Sequence, residues 1–310
     1  AGFIGSNLVD RLLRENYFVI GLDNLSTGQL RFIKKPLKNI NFKFIKLDLL
    51  NTKKLEKIFD NSEIIFHFAA NADVRFGTLY PTKDLEQNTI VTSNILEAMR
   101  KKKIKKIVFC STGSVYGESK NIPTTEKDNF PIQTSLYGAS KVACESLIEA
   151  YCEAYNMKAW IYRFVSILGD RYTHGHVYDF CNQLLKNKKT LKALGDGNQK
   201  KSYLHVNDCM DAIFIGIKKS KKKINIFNLG TEEFITVKDS IKVICNHFNI
   251  SPKIYFSGGK RGWIGDSPFI YLNVKKIKNL GWKPKYSIKE SLKSTIKYLV
   301  NNKWVFNKRR

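Results

Sequence analysis

The first residues of the chain place a glycine turn, a helical pattern and an apolar run in direct succession. After Gly2 and Gly5, the stretch Gly5–Asn16 predicts an amphipathic helix because its apolar residues recur at helical spacing. The run Tyr17–Asp23 predicts a buried strand that ends in an acid. In a dinucleotide-binding unit, such glycines let the backbone approach a pyrophosphate at the helix N-terminus. The chain start therefore predicts an α/β protein that holds a dinucleotide.

Asp23 is the predicted contact to the ribose of that dinucleotide. It follows Gly5 at nearly the spacing, about 20 residues, at which such units place an acid on the ribose hydroxyls. A carboxylate repels a 2′-phosphate, so Asp23 predicts NAD rather than NADP as the cofactor.

Strand and helix patterns continue to alternate along the chain. Phe42–Leu47 predicts a strand followed by an acid, and Ile64–Ala70 predicts another that runs into small residues. Asp84–Lys103 predicts one long helix, and Lys158–Val165 predicts a late strand. This alternation predicts a doubly wound parallel sheet. His67 lies inside an apolar strand, where we expect a core histidine with satisfied hydrogen bonds rather than a catalyst.

Tyr137 and Lys141 stand four residues apart, so they share one face of a helix. The ammonium is expected to lower the pKa of the phenol, which is otherwise ~10. Such a tyrosine can take a proton from an alcohol while a hydride leaves the same carbon. Upstream, the segment Ser111–Gly117 follows the apolar run Ile107–Cys110.

In combination, Tyr137–Lys141, Ser111–Gly117 and the opening Ala1–Gly5 resemble the extended short-chain dehydrogenase/reductases. Within that family they resemble the nucleotide-sugar epimerases of the UDP-glucose 4-epimerase type. The resemblance extends from Ala1 to about Trp304. It implies a Rossmann-type doubly wound parallel sheet with a smaller C-terminal substrate-binding lobe.

The resemblance also implies how the chain is divided. Residues 1–166 are expected to form the NAD-binding domain, with 206–229 returning to it, and residues 167–310 mainly the substrate-binding lobe. The family's glycine pattern is GxxGxxG after a first strand, and Gly2 and Gly5 match its second and third glycines. We therefore expect the first glycine and the N-terminal strand to be missing from this sequence.

The resemblance implies roles for individual residues. Catalysis is assigned to Thr112, Tyr137 and Lys141. The cofactor is NAD, and the residues placed around it are Gly2, Phe3, Ile4, Gly5, Asp23, Asn24, Ser26, Asp48, Leu49, Phe68, Ala69, Ala70, Asn88, Tyr137 and Lys141. The UDP-sugar is expected to contact Thr112, Ser166, Lys201, Arg261 and Asp266. Ser166 stands where family members often have Asn, and Lys201 where they commonly have Arg.

The implied reaction interconverts UDP-glucose and UDP-galactose through a 4-keto sugar, and several alternatives stay open. A sugar-nucleotide 4,6-dehydratase usually has Asp-Glu directly after the catalytic Thr, and a uronate decarboxylase keeps a Glu at the second position. This chain has Gly113 and Ser114 at these two positions, and neither side chain can act as the acid or base at neutral pH. Epimerisation at another carbon, uronate epimerisation and reduction stay open. From another class, so does an NAD-containing RNA-binding protein on the same fold.

The net charge of the 310 residues is +26. The basic clusters at 101–106, 218–223 and 308–310 are not interleaved with aromatic residues, which favours a solvated surface over a nucleic-acid site. No apolar run reaches the ~18 residues of a membrane span. The six scattered cysteines predict free thiols rather than disulfides or a metal site. We expect a cytoplasmic homodimer that acts on a UDP-sugar without a metal or a membrane.

Overall fold

The computed structural model describes residues 1–71, 73–130, 132–262, 265–266 and 269–307, without the side chains of Arg75 and Phe76. The basic tail at 308–310 lies outside this part of the chain. The chain divides into two compact units. The first unit contains residues 1–115, 135–163 and 213–227, and the second contains 116–134, 164–212 and 228–310. The expected assignment of NAD and substrate binding to separate domains stays a prediction.

The helices and strands are numbered along the whole chain. The α-helices are α1 Phe3–Arg14, α2 Thr52–Ile58, α3 Val74–Leu79, α4 Thr82–Asp84, α5 Val91–Lys101, α6 Leu136–Tyr155, α7 His176–Lys186, α8 Val206–Lys219, α9 Val237–Phe248, α10 Lys275–Lys278 and α11 Ile288–Asn301. The strands are β1 Val19–Asp23, β2 Phe42–Lys46, β3 Ile65–His67, β4 Lys106–Thr112, β5 Lys158–Phe164, β6 Ser166–Leu168, β7 Thr190–Ala193, β8 Lys200–Lys201, β9 Tyr203–His205, β10 Ile224–Leu229, β11 Ile235–Thr236 and β12 Lys253–Phe256. Short 3₁₀ helices lie at Leu30–Ile33, Pro36–Lys38, Gly113–Tyr116 and Lys303–Asn307.

The first unit contains the predicted parallel sheet. β1 pairs in parallel with β2, and the strand order β10-β5-β4-β3 forms a second sheet in which β3 and β4 are parallel. Its core joins β4 to the helices α2, α5 and α6 through buried residues such as Leu55, Leu96, Phe109 and Ile148. The chain thus has the expected Rossmann-like parallel sheet with helices.

The first predicted strand is shorter and less buried than its apolar sequence suggests. β1 begins at Val19, and Tyr17 and Phe18 are 52% and 64% exposed. The reason is the end of α1, where Asn16 adopts a left-handed conformation and the Tyr17 N–H donates to the Leu12 carbonyl. These residues therefore end the helix instead of extending the strand.

The predicted long helix over Asp84–Lys103 is not one continuous α-helix. It contains α4, a π-helical segment Leu85–Ile90, and α5. A π-helical segment carries one more residue per turn than an α-helix and is frequent at functional sites. The buried polar residues Asp84 and Asn88 lie in and beside it, and their partners are described with the site below.

The second unit has short, separate strand pairs. β6 is parallel to β9, β7 is parallel to β12, and β8 is antiparallel to β11. Its last helix, α11, begins with a capping box in which Ser287 and Glu290 satisfy each other's backbone N–H groups. None of the helices in the described part of the chain has the length and apolar character needed to cross a bilayer. All six cysteines are free thiols in the structure.

Candidate active site

Tyr137 and Lys141 lie on the first turns of α6. The Ser135 hydroxyl accepts a hydrogen bond from the Gly138 N–H at 3.0 Å and caps this helix start. Lys141 is 2% exposed, and its Nζ lies 6.0 Å from the centroid of the Tyr137 ring. The same ammonium donates to the Cys110 carbonyl of β4 at 2.9 Å. The helix therefore brings the two predicted residues together at the carboxyl end of β4.

The protonation of Tyr137 differs from the prediction. Burial raises the pKa of its phenol above the ordinary value, and this outweighs a hydrogen bond with the Thr112 side chain, which lowers it. The expected lowering of this pKa by Lys141 is therefore wrong for this arrangement. Loss of water around the buried phenol is the largest cause of this shift.

Thr112 ends β4 beside Tyr137. Its Oγ1 accepts a hydrogen bond from the Ser114 N–H at 3.1 Å and donates to the Ser114 Oγ at 3.2 Å. The hydrogen bond between the Thr112 side chain and the Tyr137 phenol places both hydroxyls in one place. The three predicted catalytic residues are thus assembled, with Ser114 holding the threonine.

A buried network of polar side chains reaches the backbone of Tyr137 through Ser140. Asn88 is 1% exposed, donates to the Ser140 Oγ at 2.9 Å and accepts from the Asn71 N–H at 2.8 Å. Ser140 in turn donates to the Tyr137 carbonyl at 2.8 Å. The predicted contact of Asn88 with the cofactor remains a proposal, since these contacts are all within the protein and give the residue a structural role.

Asp84 belongs to the same network and was missed by the sequence analysis. It is 1% exposed and accepts hydrogen bonds from the side chains of Asn71, at 2.9 Å, and Asn88, at 3.3 Å. Burial raises its pKa, and the two amide hydrogen bonds lower it. Its only signal in the sequence is the spacing of four residues to Asn88, which puts both on one helical face.

His67 is a core residue, as predicted, but its hydrogen bonds are not all satisfied as expected, because its Nδ1 is buried without a hydrogen-bond partner among the described residues. Its Nε2 lies 2.9 Å from the Thr92 hydroxyl, and the side chain is buried. Burial, with a smaller contribution from the charge of Lys141, lowers its pKa to about 3, so the ring is neutral at physiological pH. That it is not an acid or base in the reaction stays a prediction.

The predicted pyrophosphate contacts lie at the start of α1. Gly2 is its N-cap, Phe3 is buried, and Ile4 and Gly5 are half-buried on the first turn. A Cβ atom added to Gly2 or Gly5 would meet nothing within 4 Å, so the chain's own packing does not require glycine at either position. Open space beside helical N–H groups fits a bound phosphate group.

The predicted ribose and adenine contacts lie at the ends of β1 and β2. The Asp23 carboxylate accepts a hydrogen bond from the Leu25 N–H at 2.6 Å. Beside it, a shallow cavity of about 380 Å³ is lined by Asn24, Ser26, Lys46, Leu47 and Asp48. Leu49 is buried next to this cavity, and Phe68, Ala69 and Ala70 follow β3. These residues fit NAD, because they offer a helix start, a carboxylate and a polar recess.

The predicted substrate residues of the second unit form two ion pairs. Lys201 pairs with Asp266 at 3.0 Å, and Asp266 also accepts from the Gly262 N–H at 3.1 Å. Arg261 pairs with Glu118, and the predicted contacts of Arg261 and Asp266 with the UDP-sugar stay predictions. Ser166 is exposed at the start of β6. Trp263 and Ile264, in the same predicted motif, lie outside the described residues.

His176 is a further polar residue of the second unit. The Tyr203 hydroxyl lies 3.0 Å from its Nδ1, and burial, followed by the charge of Lys201, lowers the pKa of His176 to about 3. Within the described ranges, no group of His, Cys, Asp and Glu side chains could hold a metal ion.

The comparisons with known proteins define the class of this chain. A model of the NAD dependent epimerase/dehydratase family matches residues 1–230. The chain belongs to this family, which confirms the resemblance to the extended short-chain dehydrogenase/reductases. NAD is the cofactor of the family, and related structures have been solved with NAD bound.

Individual relatives align with this chain over nearly its whole length. A Methanocaldococcus jannaschii protein named "Putative UDP-glucose 4-epimerase" is 35% identical over 309 residues, which cover 97% of each chain. The Thermotoga maritima UDP-glucose 4-epimerase with UDP-glucose is 31% identical with a TM-score of 0.88, covering 97% of each chain. The Bacillus cereus UDP-glucuronic acid 4-epimerase with UDP-glucuronic acid and NAD is 27% identical with a TM-score of 0.88, covering 97% of this chain and 96% of that one.

Proposed function

We propose that this protein is a UDP-hexose 4-epimerase that interconverts UDP-glucose and UDP-galactose. The observation that carries the proposal is the group formed by Thr112, Tyr137 and Lys141 at the end of β4. Next to Thr112, Gly113 and Ser114 offer no side chain that acts as an acid or base near neutral pH. Such a site can oxidise and reduce one carbon, and these two residues add no acid and base for eliminating water.

Tyr137 exchanges the proton in the proposed reaction. When bound, NAD supplies a nicotinamide that accepts a hydride and returns it. Tyr137, as the phenolate, takes the proton of the sugar 4-hydroxyl, and the Thr112 hydroxyl hydrogen-bonds the same oxygen. The charge of the Lys141 ammonium favours this phenolate, against the burial that raises the pKa of Tyr137. The phenol formed in this step gives its proton back to the sugar oxygen when the 4-keto sugar is reduced again.

Lys201, Arg261, Asp266 and Ser166 are the proposed contacts of the second unit to the UDP-sugar. Lys201 and Arg261 are cations, each already paired with a carboxylate. A diphosphate would replace the carboxylate on such a cation with a more highly charged anion. The positive net charge also attracts an anionic sugar nucleotide. Assembly as a homodimer, implied by the family resemblance, belongs to this proposal and is checked by sedimentation velocity.

Product analysis tests the proposed function. The protein is incubated with NAD and a panel of UDP-sugars, and products are followed by NMR. The expected result is a mixture of UDP-glucose and UDP-galactose from either sugar, without net NADH. Tyr137→Phe should reduce turnover by at least ~100-fold, because a positioned acid and base is lost, while NAD binding persists.

Other outcomes would replace the proposal with a named rival. A 4-keto-6-deoxy sugar would identify a dehydratase, and loss of carbon dioxide from UDP-glucuronate would identify a decarboxylase. Conversion of UDP-glucuronate alone would identify a uronate epimerase. Salt-dependent RNA binding without turnover of any sugar nucleotide would favour the RNA-binding alternative. Full activity of Tyr137→Phe would show that this tyrosine is not the catalytic one.

A further inference from the structure

Three side chains form a buried chain of contacts beneath the catalytic end of β4. The Arg163 guanidinium, on β5, donates from Nη2 to the Glu145 Oε2 at 2.6 Å and from Nε to both carboxylate oxygens at 3.1 Å. The Ser111 hydroxyl donates to the Glu145 Oε1. The Arg163 and Glu145 side chains are 3% and 1% exposed, and Ser111 is 2% exposed. These three side chains therefore link β4, β5 and α6 through buried contacts.

Stability alone does not explain this ion pair. Removing two charges from water costs several kcal/mol per ion, and a buried ion pair is often no more stable than packed apolar side chains of the same volume. Buried ionic groups can instead select one arrangement of the surrounding structure. The place of the Arg163–Glu145 pair then indicates which arrangement is selected.

Two of these three buried residues are close in sequence to proposed catalytic residues. Ser111 immediately precedes Thr112, and Glu145 lies one helical turn after Lys141 on α6. The end of β4 is thereby held at successive residues. The Cys110 carbonyl accepts from Lys141, the Ser111 hydroxyl donates to Glu145, and Thr112 is bonded to Ser114. A shift of Glu145 would therefore move both Lys141 and the strand that carries Thr112.

We infer that Glu145, Arg163 and Ser111 are positioning residues that set Thr112 and Lys141 around Tyr137. The Arg163 guanidinium fixes the carboxylate in one plane through its fork of donors. The carboxylate then fixes the Ser111 hydroxyl, and with it the end of β4. This inference rests on the proposed function, because it assigns the positioned residues to an oxidation and reduction of a sugar carbon.

Ser111→Ala tests the inference with the ion pair intact. The expected result is a fall in kcat of about 10- to 100-fold, because small displacements of catalytic groups have effects of this size. KM for the UDP-sugar should change less than about 2-fold, since uniform binding is not altered. Arg163→Lys, which keeps the charge and loses the fork, should lower kcat in the same way. Glu153→Gln, at an exposed position of the same helix, is the matched control and should leave kcat unchanged.

A crystal structure of Ser111→Ala provides a readout that does not depend on turnover. The expected result is a Lys141 Nζ to Cys110 carbonyl distance longer than 2.9 Å and a displaced Thr112 hydroxyl. Unchanged positions of both groups together with an unchanged kcat would overturn the inference. If the wild type epimerises no UDP-hexose, the proposed function fails. The positioning is then judged from this structure and from kcat with whichever sugar nucleotide is turned over.

Discussion

The Asn88 side-chain amide donates to the Ser140 hydroxyl at 2.9 Å, and so joins the π-helical segment to the turn of α6 that carries Tyr137. Ser140 passes this contact to the Tyr137 carbonyl. Asn88 is therefore connected, through Ser140, to the backbone of the proposed catalytic Tyr137. We expect removal of the Asn88 side chain to affect both the stability of the fold and turnover.

Asn88→Ala is expected to destabilise the protein and to slow the reaction. It leaves the partly buried Asn71 N–H without its acceptor, which costs about 1 kcal/mol in the free energy of unfolding. Turnover should fall because Ser140 no longer holds the Tyr137 backbone from this side. Urea unfolding and steady-state kinetics measure the two effects. Asn94→Ala, which removes a side-chain contact to the Leu49 carbonyl from α5, is the control and should change stability without a comparable loss of kcat.

His67 should make stability fall in acid. Its pKa is about 3 in the folded protein and 6.5 ordinarily, so the unfolded chain binds the proton more readily. The contribution of the neutral ring is complete above pH 6.5 and is lost as pH falls from 6.5 towards 3. The loss is up to ~1.4 kcal/mol per pH unit in this window. His67→Gln should flatten the slope in urea unfolding from pH 7 to pH 4, whereas the exposed His247→Gln should keep it. Equal slopes in all three proteins would contradict the prediction.

Asp23→Ala should weaken NAD binding and narrow the preference for NAD over NADP. The reason is the loss of a charged acceptor for the ribose hydroxyls, a contact of about 1.5–3 kcal/mol, or about 10- to 100-fold in Kd. Calorimetric titration with each cofactor measures both effects. Asp60→Ala, which breaks an ion pair with Lys102, controls for net charge. A wild type that prefers NADP would show that Asp23 does not contact the ribose.

Lys201→Met should raise KM for the UDP-sugar by about 10- to 100-fold with a smaller effect on kcat, as expected for a charged contact to the diphosphate. Lys201→Arg should retain binding, because it keeps the charge and adds the planar fork. Steady-state kinetics with the neighbouring, exposed Lys200→Met as control separates a direct contact from the general positive field. An equal rise of KM in Lys200→Met would assign the effect to that field.

Features that depend on neighbouring residues were predictable from the sequence. The positions of α1, β2 and β5 follow from apolar spacing, and the approach of Tyr137 to Lys141 follows from helical periodicity. From the spacing of residues alone, the choice of NAD over NADP rested on the single carboxylate of Asp23. The family resemblance supported the same choice.

Features that depend on distant partners were not predictable. The π-helical segment is accompanied by contacts of Asp84 and Asn88 to Asn71 and Ser140, which no local pattern reveals. The raised pKa of Tyr137 results from burial by the folded unit rather than from its spacing to Lys141. The ion pair of Arg261 with Glu118 was not predictable either, because the two residues are far apart in the sequence and the fold brings them together.

The π-helical segment Leu85–Ile90 also changes the direction in which the flanking helices present their side chains. An α-helix advances about 100° per residue, so one inserted residue rotates everything before it by that angle relative to everything after it. The segment thus sets the direction in which α4 faces relative to α5. Deleting one residue from the segment would remove this rotation. The amino-terminal turn would be rotated by about a quarter of a circle, while α5 kept its buried face.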